Sequence, residues 1–149
     1  MMQRTFKTKQ MCEAIRDIRL TDEERLIASN EIYEMLKANI AIAENNKGRD
    51  YILHIPERKL GKSYNLIKLA AETGYLIITH NAMLADYMRR DAKNKYGWNI
   101  DITSYRSIPS LIDGTHCDVM LKEEGVDIVD VRDRLNEHGL GYVSIVGIN

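Results

Sequence analysis

The sequence predicts an α/β fold: a three-layer domain with a mainly parallel five-stranded sheet and an N-terminal helical extension. From Gly48 onward, short apolar runs alternate with helical segments, the pattern of a parallel sheet covered by crossover helices. The helical segments close on glycines, which supply left-handed caps. The character of the chain changes near Asn45-Asn46-Lys47-Gly48, so residues 1–46 read as the helical extension and 47–149 as the α/β unit.

The extension opens with a short amphipathic stretch, Thr8 to about Arg19, with Met11, Ile15 and Ile18 on one face. Thr21-Asp22-Glu23-Glu24 then reads as a capping box, the Thr21 hydroxyl taking the third backbone N–H while Glu24 reaches back. The helix it starts is expected to run to about Glu44, with Leu26, Tyr33, Leu36 and Ile40 along its apolar face. Five strands are expected, over Tyr51–Ile55, Tyr75–Thr79, Ile100–Thr103, Val119–Leu121 and Tyr142–Val146. Between them Ser63–Thr73, Ala82–Lys95 and Val129–His138 read as helices, with Gly74, Gly97 and Gly139 at or just past their ends.

Composition narrows the class without naming it. A chain of 149 residues, 44% hydrophobic and 29% charged with two prolines, is an ordinary globular protein that buries about two-thirds of its unfolded surface. A net charge of −1 gives no global pull on a polyanion, so nucleic-acid contact would need a local patch. Cys12 and Cys117 lie far apart with no metal-ligand spacing around them, which signals neither a zinc site nor a disulfide framework. No apolar run has the length of a signal segment or a membrane span, so the expected setting is cytoplasmic and away from membranes.

The chemistry concentrates where the strand Tyr51–Ile55 runs through Pro56-Glu57-Arg58-Lys59-Leu60-Gly61-Lys62-Ser63 directly into a helix. Strand, loop and helix in that order make a phosphate loop. Gly61 lets backbone N–H groups approach phosphate oxygens, Lys62 supplies a charge to the β- and γ-phosphates, and the Ser63 hydroxyl can ligand Mg²⁺. The nucleotide-binding set is therefore Arg58, Lys59, Leu60, Gly61, Lys62, Ser63 and Tyr64, with Lys62 expected to be exposed in the loop. The usual pattern opens with a glycine five residues before Gly-Lys-Ser, and here Pro56 stands there.

With these residues the chain resembles a P-loop NTPase, specifically the first RecA-like domain of nucleic-acid-dependent motor ATPases: helicases and the large subunits of viral DNA-packaging terminases. Arg58-Lys59-Leu60-Gly61-Lys62-Ser63 is similar to the terminase variant of the loop, which lacks the first glycine and carries an arginine that helps hold the triphosphate. Tyr75 to Asn81 resembles the strand and loop that touch the nucleic-acid backbone, and Ile102 to Ile108 the next strand end on that side. Cys117 to Gly125 resembles the acidic strand. In the preferred register Asp118 opens it, Glu123 joins Ser63 as metal ligand and Glu124 is the catalytic glutamate that orients water beside Lys62. Val143 to Asn149 resembles the strand ending in the coupling motif that senses the γ-phosphate. The likeness covers residues 50–149 and no second motor domain, so the arginine finger of the family would come from a partner.

Lys122 departs from the pattern. It either snorkels from the sheet edge or pairs with a neighbouring acid, and in a register slipped by one it would occupy the metal position itself. His80, Asn81, Arg89, Arg90 and Arg106 are the candidate nucleic-acid contacts, with Lys93 and Lys95 at the same basic helix end. His54 reads as a hydrogen-bonded core histidine, and Trp98 as a core aromatic rather than a base-stacking one. The resemblance implies an ATP- and Mg²⁺-binding protein, a weak or partner-dependent ATPase with DNA or a protein as partner, of phage or mobile-element type. The alternatives are a non-hydrolysing nucleotide- or partner-binding protein built on a degenerate motor domain, and a nucleic-acid-binding accessory protein.

Overall fold

A computed structural model describes residues 20–57, 60–108 and 118–149. The amphipathic stretch Thr8–Arg19, both cysteines, Arg58 and Lys59 lie outside the described residues. The capping box forms as its chemistry requires. Glu24 N–H donates to Thr21 Oγ1 at 3.0 Å, the Thr21 N–H points back to Glu24 Oε1, and α1 runs Asp22–Asn45. Its buried stripe is Ile32, Leu36, Ile40 and Ala43. Leu26, expected on that face, is exposed, because at about 100° per residue it falls to the side of the buried stripe.

The remaining elements are β1 (Asp50–Leu53), α2 (Lys62–Thr73), β2 (Leu76–Thr79), α3 (Ala82–Tyr96), β3 (Ile102–Ser104), a 3₁₀ turn (Tyr105–Ser107), β4 (Val119–Lys122), α4 (Ile128–Glu137) and β5 (Ser144–Ile148). The strands form one sheet in the order β1-β5-β4-β2-β3, and every neighbouring pair is parallel. The last strand expected, Tyr142–Val146, sits two residues further on, because Gly141 and Tyr142 form a turn that receives the Gly48 N–H.

Alternation along the strands builds two cores. Ile77, Ile102, Val119, Leu121, Val146 and Ile148 pack with the buried residues of α1, α2 and α3. Ile78, Met120, Val143 and Ile145 pack on the other face with Ile108 and with Val131 and Leu135 of α4. Helices therefore cover both faces of the sheet, as an all-parallel sheet demands. Two buttresses tie α1 to its neighbours: the Tyr33 hydroxyl donates to Glu72 at 2.5 Å and the Tyr75 hydroxyl to Glu44 at 2.8 Å.

Candidate functional site

The carboxyl ends of the strands gather the residues singled out in the sequence. β5 lies between β1 and β4, so the segment leaving β1 must cross the end of β5 to meet the loop after β4. That crossing is closed by one side chain. Lys62 Nζ donates to the Ile55 carbonyl at 2.9 Å and to Glu124 Oε2 at 2.8 Å. Lys62 is 9% exposed and is the first residue of α2. It is not the exposed loop residue the sequence suggests, because its ammonium turns inward onto the Ile55 carbonyl and Glu124.

Gly61 sets the head of α2. Its φ of +70° is left-handed, and a Cβ there would meet Ser29 Oγ at 2.6 Å, so backbone conformation and space both require glycine. Ser29 also accepts from Asn65 Nδ2 through its carbonyl at 2.8 Å. Ser29 and Asn65 prop the loop from α1, and sequence reasoning misses both, since a contact between two helices leaves no local signal.

Among the described residues, three of the four α-helices are capped by a side chain accepting from the first turn: Thr21 for α1, Asn81 for α3 and Asp127 for α4. Gly61 gives α2 none, which leaves its first-turn amides available to an anion beside the Lys62 ammonium. Leu60 is buried in the core, while Ser63 and Tyr64 are exposed at this helix head. The residues present thus fit a phosphate group, with Gly61, Lys62, Ser63 and Tyr64 around it.

The acidic pair divides its work. Glu123 is 6% exposed and its carboxylate accepts the Gly125 N–H at 2.7 Å, while Glu124 faces Lys62. Glu123 therefore turns one carboxylate oxygen onto its own loop. Among the described residues no cluster of three or more His, Cys, Asp or Glu side chains is arranged to hold a metal ion. Of the Mg²⁺ set expected from sequence, Glu123 holds a backbone N–H with one carboxylate oxygen and Ser63 is exposed at the head of α2.

Lys122 neither snorkels nor borders the sheet. β4 is an interior strand, and Lys122 is 0% exposed, its Nζ donating to the carbonyls of Ile148 at 2.6 Å and Glu123 at 3.0 Å. Burial pushes its pKa down from the ordinary lysine value, and the nearby charges of Glu123, Asp127 and Glu124 pull it back up.

Of the candidate nucleic-acid contacts, two come together. The His80 and Tyr105 rings lie 6.3 Å apart and nearly parallel, and Arg106 Nε donates to the Tyr105 hydroxyl at 3.2 Å. Asn81 caps α3, and Arg89 is held by Asp86 and the Ile102 carbonyl, so both have structural partners, whereas Arg90 is exposed on α3. Lys93 bonds Asn99 and Lys95 pairs with Asp91. His54 is exposed rather than buried, since β1 ends at Leu53, and its ring meets Asn149 Nδ2 at 3.2 Å. Trp98 packs partly buried against the core and stacks on Tyr96, with Tyr64 beside them.

Among the described residues no helix is long and apolar enough to cross a membrane. Comparison with protein-family models, with curated proteins and with solved structures finds no match for this chain.

Proposed function

We propose that this chain binds the triphosphate of a nucleotide, ATP being the reference ligand, at the head of α2, in the manner of a RecA-like motor domain. The observation that carries the reading is the 2.8 Å contact between Lys62 and Glu124, which brings a phosphate-loop lysine against an acidic residue from the end of another strand. A phosphate taking the place of the Glu124 carboxylate meets the same ammonium, the uncapped amides of α2 and the dipole of that helix. The strand order supports the reading too, because β5 lies between β1 and β4, whose following helices α2 and α4 pack on opposite faces of the sheet, and ligands of parallel sheets sit at the carboxyl end of such a switch point. Glu124 is the carboxylate within reach of a phosphate on Lys62, so it takes the water-orienting role in any hydrolysis. An arginine finger supplied by a partner, as the resemblance implies, would make turnover slow or partner-dependent under this reading.

A non-hydrolysing binder is the second reading, favoured by the engagement of Glu123 with Gly125 and by the buried ammonium next to it. The stacked His80 and Tyr105 with Arg106 make DNA the nucleic-acid partner to test under either reading. Calorimetric titration with ATP decides the central point. Wild-type protein is expected to bind and Lys62→Ala to lose binding while keeping its helical circular dichroism. Equal affinity in the two proteins removes the phosphate-loop reading.

A further inference from the structure

The charges behind the acidic pair do not match a site built to recruit a divalent ion. Glu123 and Glu124 bring two negative charges, and two ammonium groups already answer them. Lys62 contacts the Glu124 carboxylate directly, and the buried Lys122 ammonium, held on the main-chain carbonyls of Glu123 and Ile148, lies near enough to feel the charges of both acids. Asp127, the third acid whose charge Lys122 feels, is engaged by the Val129 N–H at the head of α4.

Lys122 is also fixed in place. Its side chain points to the same face of the sheet as Met120, between β4 and β5, where its two carbonyl partners come from the ends of both strands. Gly147 lies opposite it in the register, and the absence of a side chain there gives the lysine its room. A fixed positive charge inside the protein repels a divalent cation at short range much more than it would in water, since the intervening medium screens poorly.

Resting on the phosphate-binding reading, we propose that Lys122 is a resident cation that neutralises the acidic pair from behind, so that the site takes a phosphate ligand without a divalent metal. Lys62 and the head of α2 hold the ligand, Glu124 releases the ammonium while staying within reach of the phosphate, and Lys122 keeps the acidic pair compensated when the Lys62 contact opens. Lys122 is thus a positioning and charge-balancing residue that touches no ligand atom.

The test is calorimetry with ATP and, separately, with inorganic tripolyphosphate, each with excess EDTA and with excess Mg²⁺. Affinities within about twofold between the two conditions are expected, and Mg²⁺ alone is expected to give no binding heat. Binding that appears only with Mg²⁺, or tightens by about tenfold or more, overturns the resident-cation proposal and leaves the phosphate-binding reading standing. No binding in either condition overturns both. Lys122→Met, checked for folding by circular dichroism, is expected to bind ATP several-fold more weakly in EDTA and to regain affinity with Mg²⁺. An unchanged metal response in the folded variant overturns the proposal. If the variant does not fold, the wild-type comparison alone decides.

Discussion

Gly147 on β5 stands opposite Lys122 on β4 so closely that a Cβ on the glycine would lie 2.6 Å from the Lys122 Cβ and nearer still to its carbonyl oxygen. The atoms in the way belong to the root of a side chain and the backbone of an interior strand, and neither can swing aside. Gly147→Ala is therefore expected to cost about 1–3 kcal/mol, the usual range for overpacking, and to lower the thermal midpoint by several degrees. An unchanged melting curve contradicts this packing.

Burial lowers the Lys122 pKa, so the unfolded chain holds that proton more tightly than the folded one. The penalty of the buried charge is full below the folded value and fades as pH rises toward 10.5, the unfolded value. Wild type should thus gain stability relative to Lys122→Met as pH rises from neutral toward 10.5, read from urea midpoints. A gap that stays constant or moves the other way refutes the assignment.

The Lys62–Glu124 pair competes with any phosphate for the ammonium. Glu124 is 41% exposed, so the pair is solvent-screened and worth less than about 1 kcal/mol. Glu124→Gln is expected to tighten tripolyphosphate binding by roughly two- to fivefold and to remove any hydrolysis. Weaker binding in the variant means that the carboxylate helps hold the ligand.

Hydrolysis by the isolated chain is expected to be slow, because an added arginine finger is commonly worth about 10³–10⁵ in rate. Steady phosphate release at about 1 s⁻¹ or faster, without DNA or a protein partner, would show that the chain completes its own catalytic site.

Local chemistry makes much of the fold legible. The Thr21 capping box, the glycine caps at Gly74 and Gly97, and all five strands are dictated by neighbours in sequence. The hidden part depends on pairs distant in the chain. Nothing near Lys62 announces that Glu124 will pair with it, and nothing near Gly147 announces that Lys122 will stand opposite it. Lys122 misleads for the same reason: a lysine ending a strand suggests a sheet edge, and only the strand order places β4 inside. His54 reads as a core residue because the apolar run around it outlasts the strand.

The strand order also bears on how the protein is made. Among the described strands β1 has a single neighbour, β5, and Asp50 pairs with Ile145 roughly 95 positions later. On a ribosome adding about 5–20 residues per second, β1 emerges some 5–20 s before the segment that can hydrogen-bond to it. During that wait both of its edges are bare, a template for pairing with the wrong chain. β2 and β3, joined by one helix, meet much sooner. The nascent chain should therefore fold from the β2–β3 end, with the β1 end of the sheet among the last parts to take shape.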